Sequence, residues 1–291
     1  VHPGYGFLSE NARFAQKVKS DTHAIFIGPS PEAIDLMGDK VKARSLLAKH
    51  NIPIVLGSKE PLSSYEELKK IADELKFPII LKASGGGGGR GIRVVFNADD
   101  LLKSYEACRR EAESYFGNPD IFCERYIQNP RHIEFQILAD KFGKTLHLFE
   151  RDCSIQRRHQ KLVEEAPSPF LTAEQREHYG QIAVKVAQLV QYESAGTIEF
   201  IFDNHNGYFM EMNTRIQVEH PVTEQITGID IVREQIQIAE GKKLSYEQKD
   251  LKLHGHAIEV RINTEDARNQ FRPSVGRITA LQFPYGPFTR V

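Results

Sequence analysis

The 291-residue sequence lacks several features that would place it in common protein classes. No apolar run approaches the roughly 20 residues needed to cross a bilayer, and no signal peptide is present, so we expect no membrane association and a cytoplasmic location. The three cysteines, Cys108, Cys123 and Cys153, form no CxxC pair and no metal-ligand spacing, which indicates reduced thiols. The net charge of −1 gives no argument for nucleic acid as a partner.

The usual nucleotide-binding motifs are also missing, although five glycines run from Gly85 to Gly89. A formal GxGxxG match ends at Gly91, but the strand-like IRVVF follows it where a dinucleotide fold needs a helix. The absence of GxxxxGK[ST] excludes a P-loop, and the absence of HRD and DFG argues against a protein kinase. The glycines therefore indicate either a flexible linker or a hairpin loop that closes over phosphates, with Lys82 entering it as a point charge.

Two acidic strands, TIEFIFD at 197–203 and YFMEMN at 208–213, flank a turn-rich stretch and predict a β-hairpin. If the hairpin folds about His205, Glu199 and Glu211 lie opposite each other, and Asn213 lies on the same strand face. Two like charges opposite each other normally repel and destabilise the hairpin, but a divalent cation bound between them makes their interaction favourable. The pattern predicts a Mg²⁺ site; the alternative is a polar strand face in water.

The alternation continues through NTRIQVEH, where Arg215, Gln217 and Glu219 share one side if the segment is extended. An extended segment would aim a cation, an amide and a carboxylate into the space of the predicted metal. The cluster RDCSIQRRHQK could hold an anion such as phosphate or bicarbonate, or could be a solvated face. Arg261 alternates with apolar residues in HAIEVRIN and faces either a site or water. His132 taken alone is a packing or hydrogen-bonding histidine.

Together these motifs resemble biotin carboxylase, an ATP-grasp enzyme. The resemblance covers essentially the whole chain and rests on HPGYGFLSEN, MGDK, KASGGGGGRG, ERYIQNPRH, ERDCSIQRRHQK, EEAP and EMNTRIQVEHPVTE. Helices and strands alternate without a long parallel series, which favours an α+β fold. The resemblance implies an ATP-grasp fold with a mobile glycine-rich lid.

The resemblance also implies a domain organisation. Residues 1–36 would be the remnant of an amino-terminal α/β domain, 37–53 a helical linker and 54–126 the lid subdomain. Residues 127–291 would form the body and the start of the carboxy-terminal domain. The chain has no initiator Met and opens on VHPGYGF, so we expect a fragment truncated at both ends.

Carried over position by position, the resemblance implies a set of site residues. The nucleotide would contact Lys40, Lys82, Gly88, Gly89, Glu124, Arg125, Tyr126, Ile127, His132, Gln156 and His159. Glu199, Glu211 and Asn213 would hold Mg²⁺ or Mn²⁺. Lys161, Arg215, the Val218 N–H and Glu219 would bind bicarbonate, and Arg261 would contact biotin. Arg125 stands where a lysine is usual, and we expect little consequence because the family's contacts there run through the backbone.

The implied activity is that of a ligase, the ATP- and Mg²⁺-dependent carboxylation of biotin by bicarbonate through carboxyphosphate. The wording RRHQK…EEAPSP favours acetyl-CoA carboxylase, and so fatty acid biosynthesis, over pyruvate carboxylase. Expected partners are a biotin carboxyl carrier protein or domain, a carboxyltransferase and a second copy of the chain. Alternatives are the same component of a propionyl-CoA, methylcrotonyl-CoA or pyruvate carboxylase, an inactive ATP-binding module, or another ATP-grasp ligase.

Overall fold

The computed structural model describes residues 1–83, 91–158, 160–204 and 206–291. The predicted site residues Gly88, Gly89 and His159 lie outside these ranges. The chain divides into two compact units, Val1–Glu259 and Val260–Val291. Across the described ranges, none of the helices has the length and apolar character that a membrane span requires.

The first unit begins with three helices, α1 (Ala12–Asp21), α2 (Pro31–Gly38) and α3 (Lys40–Lys49). The sequence predicted one helix running on from Met37, but the chain breaks at Asp39. The Asp39 side chain accepts hydrogen bonds from the N–H groups of Val41 and Lys42, both at 3.1 Å, so it begins α3 as an N-cap. Lys40 is therefore the first residue of α3, beside the acidic hairpin described below.

A small α+β layer follows. Its elements are α4 (Tyr65–Leu75), β1 (Ile79–Ala83), β2 (Ile92–Val95), α5 (Leu101–Phe116) and β3 (Ile121–Arg125). The strands form an antiparallel sheet in the order β2-β1-β3, and a separate apolar core that includes Leu68, Leu81 and Cys108 lies between this sheet and the two helices. This layer carries Lys82 and Glu124 on neighbouring strands.

The main sheet has six strands in the order β8-β7-β4-β5-β6-β9. Its elements are β4 (Arg131–Ala139), β5 (Thr145–Arg157), β6 (Gln160–Ala166), α6 (Ala173–Leu189), β7 (Ser194–Phe202), β8 (Gly207–Asn213), α7 (His220–Thr227), α8 (Ile231–Ala239) and β9 (Ala257–Val260). The largest core cluster packs one face of this sheet against α6. The other face of β4, β5 and β7 carries the polar residues of the site.

A buried histidine packs against this core. His147 of β5 is fully buried, and its ring fills a notch at Gly180 of α6, where an added Cβ would lie 2.5 Å from Nε2. Neither ring nitrogen has a hydrogen-bond partner among the described residues. Burial lowers the pKa of His147 to about 4, so the imidazole is neutral at physiological pH.

A connecting segment, residues 53–58, joins the two sheets through backbone hydrogen bonds. On one side the Phe209 N–H of β8 donates to the Pro53 carbonyl at 2.7 Å, and on the other the Arg125 N–H of β3 donates to the Leu56 carbonyl at 2.9 Å. The last strand of the small layer and the acidic hairpin are thus held side by side.

The second unit, Val260–Val291, is a mostly exposed segment. It contains a two-stranded antiparallel pair, β10 (Glu265–Asp266) and β11 (Arg272–Pro273). Arg261 lies in this unit.

Candidate active site

The predicted acidic pair forms, because Glu199 of β7 lies directly opposite Glu211 of β8. The route to this pairing differs from the prediction. Near the turn Phe202 pairs with Gly207 and Phe200 with Phe209, a register one residue away from the predicted one. His205, about which the hairpin was predicted to fold, lies outside the described residues. The register then shifts by one residue, and this bulge brings Glu211 opposite Glu199.

The bulge also sets which side chains of β8 face the site. Phe209 and Met212 both belong to the apolar core, although residues three apart on a regular strand point to opposite faces. With Met210 as the extra residue, Phe209 and Met212 share the core face, and Glu211 and Asn213 share the other. Asn213 donates to Glu199 Oε1 at 2.7 Å, which confirms the predicted common face.

Glu199 is contacted by several side chains of the site. Besides Asn213, it accepts hydrogen bonds from Lys161 at 3.0 Å and from Gln217 at 2.9 Å, and His132 Nε2 lies 2.8 Å from Oε2. Burial by itself raises the pKa of Glu199, but Lys161 and His132 outweigh it and hold the pKa well below its ordinary value. Glu199 is therefore a charged carboxylate in a nearly dry position, suited to a cation.

Lys161 lies at the centre of three buried carboxylates. Its ammonium contacts Glu134, Glu199 at 3.0 Å and Glu219 at 2.6 Å. Burial lowers the pKa of Lys161, but the carboxylates raise it well above its usual value, so the group stays charged. Ligand atoms of His132, Glu134 and Glu199 lie within 4.8 Å of one another, a spacing that suits a metal ion. In this structure the Lys161 ammonium serves as the cation of that cluster.

Arg151 of β5 contacts Glu134 of this cluster and four further side chains, and it was not predicted from the sequence. Its side chain is fully buried, and its five N–H donors are all used. The acceptors are Glu134 at 2.7 Å, Gln136 at 2.7 Å, Thr223 at 2.9 Å, Thr197 at 3.2 Å and Gln217 at 2.7 Å. One sequence signal was available: His132, Glu134 and Gln136 alternate with apolar residues along β4.

The segment after β8 brings its predicted residues to the site, but not as an extended strand. The strand ends at Asn213, a bend follows, and Val218 and Glu219 form the turn that begins α7. Arg215 donates to Asn213 Oδ1 at 2.8 Å and to Glu10 at 2.9 Å. Gln217 donates to Glu199 at 2.9 Å, and Glu219 lies 2.6 Å from the Lys161 ammonium. These contacts form although residues 214–219 are not the extended strand on which the prediction was conditional.

A cleft of about 180 Å³ opens beside the acidic hairpin. It is lined by Glu10, Ile34, Met37, Gly38, Lys40, Glu211, Met212, Asn213 and Thr214. Lys40 lies 3.4 Å from Glu211, and both side chains are exposed to solvent there. A phosphate bound in this cleft would lie near the Lys40 ammonium and near the side-chain oxygens of Glu211 and Asn213.

The junction between the two sheets holds the predicted nucleotide residues. Glu124 is buried and accepts from Lys82 at 2.5 Å and from Arg44 of α3 at 2.5 Å. Arg125 donates to the Tyr208 hydroxyl of the acidic hairpin at 2.7 Å, and its guanidinium lies 5.2 Å from the Tyr208 ring centre. The Arg125 side chain thus ties the small layer to the hairpin. Arg44 was missed, because nothing local marks it.

The remaining predicted residues are placed as follows. The Tyr126 N–H donates to the Pro78 carbonyl at 3.1 Å, and the next residue, Ile127, is buried. Gln156 Nε2 lies 2.8 Å from His132 Nδ1 and 2.8 Å from the Cys153 carbonyl, so it orients the histidine. Arg261 belongs to the second unit, which is described by itself.

Comparisons with known proteins match this architecture. The family model "Carbamoyl-phosphate synthase L chain, ATP binding domain" matches residues 39–247, and "Biotin carboxylase, N-terminal domain" matches residues 1–34. A biotin carboxylase of Nostoc sp. is 53% identical over 292 residues, covering 100% of this chain and 65% of that protein. The chloroplastic biotin carboxylase of Arabidopsis thaliana is 52% identical over 293 residues, covering 100% of this chain and 54% of that protein.

A solved structure is similarly close. The biotin carboxylase domain dimer of Hydrogenobacter thermophilus 2-oxoglutarate carboxylase, in complex with MgADP, ADP and bicarbonate, is 54% identical with a TM-score of 0.90. The match covers 98% of this chain and 63% of that one. This chain therefore spans between 54% and 65% of the length of these three proteins.

Proposed function

Because the chain belongs to the biotin carboxylase family of ATP-grasp proteins, we propose that it carboxylates biotin with bicarbonate in a ligase reaction driven by ATP. The observation that carries this proposal is the contact of Lys161 with both Glu199 and Glu219. Lys161 thereby contacts Glu199, a carboxylate suited to binding a metal ion, and Glu219, a carboxylate suited to acting as a general base.

The donor set fits a hard divalent cation. Glu199, Glu211 and Asn213 present carboxylate and amide oxygens from adjacent strands, which are the ligands that Mg²⁺ or Mn²⁺ takes in phosphate sites. When bound there, the ion would neutralise phosphate charge during transfer. The Lys161 ammonium would move away from Glu199 as the ion binds, which leaves it available to the second substrate.

For the nucleotide, we assign Lys40 and Lys82 to the phosphates, together with the loop residues Gly88 and Gly89. The junction residues Glu124, Arg125, Tyr126 and Ile127 would lie along the adenine, with His132, Gln156 and His159 completing the site. The placement of Lys40 at the 180 Å³ cleft supports the phosphate assignment.

For bicarbonate, we assign Lys161, Arg215 and the Val218 N–H to binding and Glu219 to proton removal. The deprotonated oxygen attacks the γ-phosphorus, the bond to the β-phosphate oxygen breaks, and ADP leaves with carboxyphosphate formed. Lys161 and Arg215 hold the anion in line with the phosphate. Carboxyphosphate then breaks down to CO₂ and phosphate, and the phosphate takes the ureido proton of biotin. The ureido nitrogen forms its bond to CO₂, with Arg261 stabilising the enolate oxygen.

The wider assignment rests on the segments RRHQK and EEAPSP and is also part of the proposal. We assign the chain to the biotin carboxylase component of acetyl-CoA carboxylase in the cytoplasm. Its partners would be a biotin carboxyl carrier protein or domain, a carboxyltransferase and a second copy of itself. Residues 1–36 would be an amino-terminal domain remnant, 37–53 a linker, 54–126 the lid and 127–291 the body with the start of the carboxy-terminal domain.

Phosphate release from ATP tests the proposed reaction, with Mg²⁺ present and with bicarbonate and free biotin each included or omitted. Release that requires bicarbonate and increases with biotin is the expected result. Release that is indifferent to both would assign the site to a different ATP-grasp ligase. Binding of Mg·ATP without release would favour an inactive nucleotide-binding module.

A further inference from the structure

The Glu124 carboxylate is shared between two cations from different parts of the fold. Its Oε2 accepts from Lys82 of β1 at 2.5 Å, and its Oε1 accepts from Arg44 of α3 at 2.5 Å. Arg44 also donates to the Val55 carbonyl of the connecting segment at 2.9 Å, which fixes the guanidinium. The side chain of Glu124 is 8% exposed, whereas Lys82 is 39% exposed. Lys82 is therefore the partner that is able to leave.

The charges make Arg44 more than a structural contact. Lys82 and Glu124 alone form a neutral pair, whereas the group of three carries one net positive charge at the nucleotide end of the site. If Lys82 turned to a phosphate without Arg44 present, it would leave a buried carboxylate unpaired, which is strongly unfavourable. With Arg44 present, Glu124 keeps a cation on one oxygen while Lys82 moves.

We propose that Arg44 is a positioning residue for nucleotide binding: it holds Glu124 so that Lys82 is released to the phosphates. The inference rests on the proposed function, since it takes Lys82 as a phosphate contact. Arg44 itself touches no phosphate in this scheme and acts through Glu124. The affinity that it confers should therefore depend on how strongly a ligand attracts Lys82.

The test is a comparison of ligands that differ only in phosphate number. In Arg44→Met we expect ATP and ADP to bind about 10-fold more weakly, equivalent to about 1.4 kcal/mol, while adenosine binding changes little. Isothermal titration calorimetry on the full chain measures all three. Arg44→Lys keeps the positive charge but cannot contact both Glu124 and the Val55 carbonyl as the guanidinium does, so it should recover part of the lost ATP affinity. This variant also replaces Arg44→Met in the test if Arg44→Met does not fold.

A double-mutant cycle asks whether Arg44 acts through Glu124. In a Glu124→Gln background the carboxylate charge is gone, so Arg44→Met should no longer weaken ATP relative to adenosine. A matched control is Arg176→Met, since Arg176 of α6 likewise holds a buried glutamate, Glu150, at 2.8 Å and a backbone carbonyl. That variant should lose stability without changing the ratio of ATP to adenosine affinity.

Each result decides between the alternatives. Equal weakening of ATP, ADP and adenosine in Arg44→Met would overturn the inference in favour of a purely structural role, as would unchanged ATP affinity. An effect that persists in the Glu124→Gln background would exclude action through Glu124. A wild-type chain that binds no ATP would instead overturn the proposed function, and this inference with it.

Discussion

Replacing Lys161 by methionine removes the cation that three buried carboxylates share. Only 13% of the Lys161 side chain is exposed, and Glu134, Glu199 and Glu219 are more deeply buried still. Breaking a buried ion pair costs about 3–5 kcal/mol. Because Arg151 still contacts Glu134 and His132 still contacts Glu199, we expect the lower end, about 3 kcal/mol of unfolding free energy. That corresponds to a fall in Tm of about 6–12 °C.

The pH dependence gives a sharper test than the size of the loss. In the wild type the pKa values of Glu134 and Glu199 are lowered in the fold, because Lys161 and its neighbours outweigh burial. Their contribution is therefore present at neutral pH and is lost as pH falls below the ordinary glutamate range. Without Lys161, burial dominates and raises these pKa values, so the variant gains stability relative to the wild type as pH falls from 7 towards 4.

Urea unfolding at several pH values, with and without MgCl₂, measures both effects. We expect Mg²⁺ to stabilise Lys161→Met more than the wild type, because the ion no longer competes with an internal ammonium. Lys185→Met is the control, since Lys185 is a surface residue whose ammonium donates to the His50 carbonyl at 2.9 Å. A Lys161→Met protein that is as stable as the wild type at pH 7, or equally destabilised at every pH, would refute the reasoning.

Further predictions concern the base, the buried histidine and the junction. Glu219→Gln should abolish bicarbonate-dependent phosphate release while Mg·ATP affinity stays nearly intact; an equal loss of affinity would argue against the base role. The pKa of His147 is lowered to about 4, so the free energy of unfolding of the wild type should fall by about 2 kcal/mol between pH 7 and pH 5. His147→Leu should not show this additional fall. Urea unfolding at the two pH values checks this, and parallel losses in the two proteins would contradict it. Arg125→Met removes the contact with Tyr208 of β8, the strand that also carries Glu211. Because that strand is then held less firmly, the Mg²⁺ concentration needed for activity should rise several-fold, equivalent to about 1 kcal/mol of binding free energy. Arg109→Met removes an Arg–Tyr contact within the small layer and should leave the Mg²⁺ requirement unchanged.

Local sequence patterns predicted much of the fold and the centre of the site. The turn between two acidic strands is a short-range signal, and it correctly predicted that Glu199 lies opposite Glu211, although the register that produces this pair was not predicted. The bulge at Met210 was missed, because a one-residue register shift depends on which β8 side chains the core accepts. The helix α7 was not predicted because the preceding segment NTRIQVEH alternates like a strand. The buried residues Val222 and Ile226, four apart, lie on one face of the helix that follows.

The residues that sequence reasoning missed are those whose partners lie far along the chain. Arg151 contacts Gln217, 66 positions away, and Arg44 contacts Glu124, 80 positions away. These contacts depend on the strand order β7-β4-β5 and on the position of α3 beside β3, and no local spacing encodes either. The alternation of His132, Glu134 and Gln136 with apolar residues along β4 is the signal that the sequence offered, since polar side chains on a buried strand face require partners.

The internal pairing of the site bears on how its ligands bind. The groups assigned to ligands already have counter-charges within the protein: Glu199 with Lys161, Lys82 with Glu124, Arg215 with Glu10, and Lys40 with Glu211. Ligand binding is therefore an exchange, in which each new contact is offset by a lost one. Two of the carboxylates keep a second partner when the first one leaves, because Glu124 also contacts Arg44 and Glu199 also contacts His132. If Lys40 turned to a phosphate, a metal ion bound at Glu211 would replace its charge beside that carboxylate. If the proposed function holds, we expect the metal and the nucleotide to bind more tightly together than either does alone, because each supplies a counter-charge that the other displaces.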